Sequence, residues 1–336
     1  MEENLQLLKI GITQGDTNGI GYEVIMKALS NPKMLELCIP VVYGVGKVAA
    51  FHKKTLGLTD INMQVVKNVQ QANNKKATLV NLTDEEVAVA LGQATPAGGK
   101  MAEMALDAAC KDLKDKKIDA IVTAPINKSV MPEKSFKFSG HTEYLAHRFG
   151  SKDVLMMMIA ANLRIGFVTN HLPIEQVASA ITKDLILEKI KILNNSLKTD
   201  FRCTNPKIAV LALNPHAGDN GKIGREENEV IRPAIEQAFN AKINAFGPFP
   251  ADGFFATEQY AKFDAVLAMY HDQGMIPFKV LAMDGGVNFT AGLPVVRTSP
   301  AHGTAYDIAG QNVASCESMR NAIYLAIDIL RNRNML

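Results

Sequence analysis

Short runs rich in β-branched and aliphatic residues alternate along the chain with longer stretches whose apolar positions recur at helical spacing. The runs are Leu7–Ile12, Ile39–Val45, Thr78–Leu82, Ile118–Thr123, Val154–Ala160, Ile165–Thr169, Lys207–Leu213 and Ala265–Tyr270. Residues 98–114 set Met101, Met104, Ala105, Ala108 and Leu113 on one helical face. Residues 316–332 do the same with Met319, Ala322, Ile323, Ala326, Ile329 and Leu330, behind an N-cap at Ser315. Strands alternating with amphipathic helices predict an α/β fold with a largely parallel sheet. The lysine-rich KDLKDKK (111–117) reads as a solvated helix end.

Composition narrows the class. A chain of 336 residues can form one large or two medium domains, and 47% hydrophobic with 21% charged residues is ordinary for a globular protein. A net charge of +2 points to no nucleic-acid or acidic-surface partner. Cys38, Cys110, Cys203 and Cys316 form no CxxC pair and are expected to be free thiols in a reducing compartment. The opening MEENLQLLKI lacks the basic region and long apolar stretch of a signal peptide, and no apolar run reaches the ~18 residues of a membrane helix. The expectation is a soluble cytoplasmic protein with no membrane partner.

Three histidines share one placement. His171 follows RIGFVTN, His216 follows KIAVLALNP and His271 follows DAVLAMY, each near the C-terminal end of a strand-like run. In open α/β sheets ligands bind outside those ends. Three imidazoles converging there would leave coordination positions open, as a catalytic metal requires. His52, beside two lysines, is expected at the surface, and His147 in a helix beginning near Thr142. His141 and His302 adjoin glycine in the polar loops GHTEYLA and AHGTAYD, where function and turn chemistry both fit.

Two glycine-rich segments could approach an anion. GDTNGIGYEVIMKAL (15–29) joins a strand to a helix with a geometry suited to close backbone approach or anion binding. GVGKVA (44–49), with an acid at Asp60, is a weak dinucleotide fingerprint. The segment 279–310 carries Lys279, Asn288 and Arg297, a set suited to a phosphate monoester.

With these motifs the chain resembles the 4-hydroxythreonine-4-phosphate dehydrogenase family of the vitamin B6 pathway. The likeness runs through GDTNGIGYE (15–23), TAPINK (123–128), GHTEYLA (140–146), TNHLPI (169–174), NPHAGDNGKIGREE (214–227), GPFPADGFF (247–255), YHDQGMIPFK (270–279) and GVNFTAGLPVVRTSPAHGTAYD (286–307). One departure is that many members have proline where this chain has Thr17 and Tyr22. The resemblance implies two α/β domains with a cleft between them, similar to isocitrate and isopropylmalate dehydrogenases, and no Rossmann fingerprint. GVGKVA then becomes a structural turn. The domains would comprise 1–130 plus 303–336, and 131–302 with the metal ligands and dimer interface.

The resemblance further implies a divalent metal (zinc, magnesium or cobalt) on His171, His216 and His271, in a site completed across a homodimer. His141, Thr142, Lys279, Asn288 and Arg297 would bind the phosphorylated substrate. The implied reaction is oxidation and decarboxylation of 4-phosphooxy-L-threonine to 3-amino-2-oxopropyl phosphate. Asp272, Asp252 and Lys128 are the candidate bases, with an orienting role as the alternative for each. The segment HGTAYDIAG (302–310) looks like the adenosine loop of decarboxylating dehydrogenases, which implies cofactor contacts from His302, Gly303, Thr304 and Asp307. Asp307 would accept from a ribose 2′-OH and favour NAD over NADP, or else cap a helix starting near Ile308. Tyr306 stands where proline is usual. Two other readings stay open: a dehydrogenase of threonate or erythronate phosphate, and a lyase of the class II aldolase type.

Overall fold

The computed structural model describes residues 7–334 apart from Asp60, Lys134, Ser139 and Met283. In chain order its strands are β1 (Leu8–Thr13), β2 (Cys38–Gly44), β3 (Gln64–Val66), β4 (Thr78–Asn81), β5 (Ala120–Thr123), β6 (Leu155–Ala160), β7 (Leu163–Phe167), β8 (Lys207–Leu211), β9 (Asn244–Phe249), β10 (Ala265–Ala268), β11 (Val287–Ala291) and β12 (Val296–Pro300). The chain forms two compact units, Met1–Tyr144 with Val295–Arg331, and Leu145–Pro294 with Asn332–Leu336.

In the first unit the strand order is β3-β4-β2-β1-β5-β12, and every neighbouring pair is parallel. Helices cover such a sheet on its faces, so its strands are near-continuous apolar runs rather than alternating ones. Ile10, Ile12, Val41, Val42, Ile121 and Val122 are accordingly fully buried. The helix Pro96–Lys114 packs on β1, β2 and β5. Thr95 caps it by accepting from the Gly98 N–H at 3.2 Å. It buries Met101, Ala105 and Leu113 as expected, but the apolar face is rotated: Ala102, Leu106, Ala109 and Cys110 are buried, while Met104 and Ala108 are only half-buried. The helix Glu317–Asn334 buries Met319, Ala322, Ile323, Ala326 and Ile329, with Ile327 in the core and Leu330 half-buried. The Ser315 hydroxyl accepts from the Glu317 N–H at 3.3 Å.

In the second unit the order is β11-β6-β7-β10-β8-β9. β6 is antiparallel to both neighbours, and the other pairs are parallel. All eight expected runs are strands, with ends that differ by one or two residues. The short strands β3 and β9 were not expected. Nor were β11 and β12, which fall within the glycine- and hydroxyl-rich 279–310 segment.

His52 corrects an expectation. It is 1% exposed, its Nε2 lies 2.8 Å from the Thr17 carbonyl, and its ring tilts against Tyr22 at 5.2 Å. Its lysine neighbours point to solvent while its own face of the helix Gly46–Thr55 turns inward. GVGKVA is the turn entering that helix, and Asp60 lies outside the described residues. In the first glycine-rich segment the expected close approach is real: a Cβ on Gly15 would stand 2.4 Å from the Pro125 carbonyl oxygen, and one on Gly21 2.4 Å from that of Gln14. None of the four cysteines forms a disulfide. Among the described residues no helix is long and apolar enough to cross a membrane.

Candidate active site

Two of the three strand-end histidines meet in the second unit. His171 lies in the loop after β7, and His271 opens the helix His271–Ala282 after β10, the parallel neighbour of β7. Their ring centroids are 5.8 Å apart. Both line a cavity of about 250 Å³ with Asn170, Leu172, Tyr270 and Asp272. Asn170 Oδ1 is buried there with no partner. His271 Nδ1 lies 2.7 Å from Asp272 Oδ1, so Asp272 is placed to orient the imidazole.

His216 follows β8, on the other side of β10, in an unusual turn. Five consecutive residues, His216 to Asn220, have φ between 42° and 77°, and only Gly218 among them is glycine. Left-handed backbone costs an ordinary residue about 1–2 kcal/mol, so the turn must be held from outside. Glu227, 1% exposed, does this at the entrance to the turn. Its Oε1 accepts from the N–H groups of Leu213 (2.9 Å) and Asn214 (2.7 Å), and its Oε2 from Asn214 Nδ2 (3.0 Å). Among the described residues no group of three or more His, Cys, Asp or Glu could hold a metal ion. Within one chain, then, His171 and His271 come together and His216 does not complete a set with them.

Asp252 is exposed on the helix Ala251–Ala256, beside Asp272 in a groove of about 430 Å³ whose wall includes Phe255, Ile276, Val280 and Leu281. Lys279 is exposed on the helix His271–Ala282, and Asn288 is half-buried on β11.

The first unit gathers a second polar cluster. Arg297 sits on β12 beside β5 and is 3% exposed. Its Nε and Nη2 donate to the Thr123 hydroxyl at 3.1 and 2.8 Å. Burial lowers its pKa to about 10, and the Glu143 carboxylate opposes that shift. His141 opens the helix His141–Arg148 instead of lying in a loop. Its Nε2 is buried without a partner. Burial first, then the charges of Arg297 and Lys128, hold its pKa well below the ordinary 6.5, so the ring is neutral. Thr142 is buried beside it, and Lys128 stands in the short helix Lys128–Val130. A Cβ on Gly140 would lie 3.2 Å from Lys128 Cε and 3.4 Å from Glu143 Oε2, so glycine lets both approach. Thr123 and Glu143 were missed by sequence reasoning, although each lies inside a quoted motif.

The 302–310 loop is anchored on the first glycine-rich segment. The Ile20 N–H donates to the Thr304 carbonyl at 3.0 Å, and a Cβ on Gly19 would stand 2.6 Å from that oxygen. Tyr306 donates to Asp16 Oδ2 at 2.6 Å; burial and this carboxylate push its pKa up to about 12. His302 Nε2 is buried without a partner, and a Cβ on Gly303 would meet nothing within 4 Å. The expected helix near Ile308 is absent. Asp307 lies inside a single 3-10 turn, Tyr306–Ile308, whose N-cap position is held by Ala305, and the next helix begins at Glu317. The capping role for Asp307 therefore falls.

A protein from Bacteroides thetaiotaomicron named 4-hydroxythreonine-4-phosphate dehydrogenase is 52% identical over 334 residues, covering 99% of this chain and 91% of its own. A protein from Cutibacterium acnes, whose name gives D-threonate 4-phosphate dehydrogenase as a provisional assignment, is 38% identical over 96% of this chain and 94% of its own. The crystal structure of 4-hydroxythreonine-4-phosphate dehydrogenase from Klebsiella pneumoniae matches with a TM-score of 0.84 at 31% identity, over 98% of this chain and 99% of that one. Isocitrate dehydrogenase from Methylococcus capsulatus, at 12% identity, covers 98% of this chain and 87% of its own with a TM-score of 0.51, which supports the expected fold kinship alone. The family model described as pyridoxal phosphate biosynthetic protein PdxA matches residues 36–326, and the chain belongs to that family.

Proposed function

We propose that this chain is a dehydrogenase that oxidises 4-phosphooxy-L-threonine with NAD and decarboxylates it to 3-amino-2-oxopropyl phosphate. The observation that carries the reading is the buried Arg297 guanidinium, fixed on Thr123 beside the unpartnered His141 Nε2. A buried cation next to an unmet polar atom suits a bound anionic ligand, and a planar fork suits phosphate. The names of the relatives supply the substrate.

The metal ligands of this reading are His171, His216 and His271. The pair of imidazoles at the strand ends and the unpartnered Asn170 Oδ1 fit such a site. Since one chain brings only two of the three together, the reading requires a homodimer with shared sites. The exposed side chains of Ile276, Val280 and Leu281 offer an apolar face for it. Bound there, a divalent ion would supply Lewis acidity to the substrate's hydroxyl. Asp272 orients His271. Lys128, which stands near neutral His141, is the base candidate of this reading, with Asp252 and Asp272 as the alternatives. Arg297, Lys279 and Asn288 would hold the phosphate, with His141 and Thr142 orienting the rest. The open backbone at Gly303, the unpartnered His302 Nε2 and the exposed Asp307 suit an adenosine ribose.

A second reading, oxidation of a four-carbon hydroxy-acid phosphate, is favoured by the Cutibacterium relative. Following reduced-nicotinamide absorbance with the amino-acid and hydroxy-acid phosphates tests both. Turnover of the amino acid alone is expected, and turnover of neither would overturn the reading.

A further inference from the structure

We infer that Glu143 is an additional substrate-binding residue, whose Oε2 accepts a hydrogen bond from an N–H or O–H group that the phosphorylated substrate carries. This rests on the substrate reading above and extends it. Glu143 stands on the first turn of the helix His141–Arg148, among Lys128, His141 and Arg297. Its Oε2 is buried with no hydrogen-bond partner. A buried carboxylate oxygen without a donor is costly. A carboxylate beside a phosphate site also repels the ligand it flanks. A pocket for phosphate alone would be lined by donors only. The neighbouring His141 Nε2 is unmet as well, so two unsatisfied polar atoms lie in one cluster. The ligand that satisfies both oxygen and guanidinium bears an anion and, a few bonds away, a hydrogen-bond donor. In the amino-acid phosphate that donor is the ammonium or the hydroxyl. In the hydroxy-acid phosphate it is a hydroxyl only.

The test is Glu143→Gln and Glu143→Asp, each checked by thermal melting, with KM measured for a phosphate that is turned over, Ki for one that is not, and Ki for inorganic phosphate as a competitive probe of Arg297. Loss of a charge-assisted bond should raise KM for the turned-over substrate by about tenfold or more in Glu143→Gln. The phosphate Ki should stay within about twofold, and Glu143→Asp should recover part of the loss. A rise confined to the amino-acid phosphate assigns the ammonium as donor, and a rise for both assigns a hydroxyl. If wild type turns over substrate and Glu143→Gln leaves its KM unchanged, the inference is wrong. It is equally wrong if KM and phosphate Ki rise in parallel, because Glu143 then acts only by holding Arg297. Wild type inactive on both phosphates would instead overturn the substrate reading itself.

Discussion

Arg297 gives two hydrogen bonds to one acceptor, with Nε and Nη2 reaching the Thr123 hydroxyl at 3.1 and 2.8 Å. Thr123 ends β5 and Arg297 lies on the adjacent β12, so sheet pairing fixes the plane of the guanidinium before any ligand arrives. Lysine cannot reproduce a planar fork. Arg297→Lys is therefore expected to raise KM for the phosphorylated substrate by about 10–100-fold, the range for a lost charged hydrogen bond. Thr123→Val should shift KM in the same direction by less. Equal KM values in wild type and Arg297→Lys would remove Arg297 from the phosphate site.

The same strand shows where sequence reasoning stops. Runs such as Lys207–Leu211 announce themselves because helices cover both faces and demand apolar side chains. VRTSP in β12 is wholly buried yet polar: Arg297 donates to the Thr123 hydroxyl, and the Thr298 hydroxyl donates to the Ala322 carbonyl at 2.7 Å. No local pattern marks such a strand. His52 failed for a related reason, because burial follows the helix face and its two lysine neighbours point elsewhere. The placement of the three histidines after strand ends was legible. Their spatial pairing was not, because it depends on strand order, which places β10 between β7 and β8.

Asp272 is the means by which the chain sets the His271 ring. Asp272→Asn keeps the shape but weakens the acceptor. Metal affinity, read by competition with a chelator, should fall about 10–100-fold. His171→Ala and His271→Ala should abolish retention. Undiminished metal content in His271→Ala would remove it from the ligand set.

Burial lowers the pKa of His52, and those of His141 and His302 shift the same way. In the unfolded chain these groups take up protons near their ordinary value of about 6.5. Below that pH the unfolded state binds more protons than the folded one, so stability falls as pH falls, until the folded pKa is passed. Above neutrality the effect vanishes. The urea midpoint should be lower at pH 5.5 than at pH 7.5, and His52→Gln should flatten the dependence. An unchanged slope in that variant would show that His52 titrates alike in the folded and unfolded chain.

Val280 is 72% exposed and Ile276 64%, on the helix that begins at His271. Apolar side chains this exposed, beside an open groove, mark an association surface. A charge there should oppose dimerisation. Val280→Glu is expected to sediment as a monomer with native melting behaviour, and to lose metal retention together with activity. An active monomer would refute the shared site.

Asp307 carries the cofactor prediction because its capping role has gone: it lies within the turn Tyr306–Ile308 that Ala305 opens, no α-helix starts near Ile308, and Asp307 is exposed. A carboxylate there accepts from a ribose 2′-OH and repels a 2′-phosphate. NAD should therefore be preferred, and Asp307→Ala should shrink the ratio of kcat/KM for NAD over NADP. Tyr306 provides the control. Its bond to Asp16 holds the loop without facing either substituent as a charge. Tyr306→Phe should therefore weaken both cofactors alike and leave the ratio in place. If Asp307→Ala also leaves the ratio in place, discrimination lies outside this loop; if Tyr306→Phe shifts it, loop position and not the carboxylate selects the cofactor.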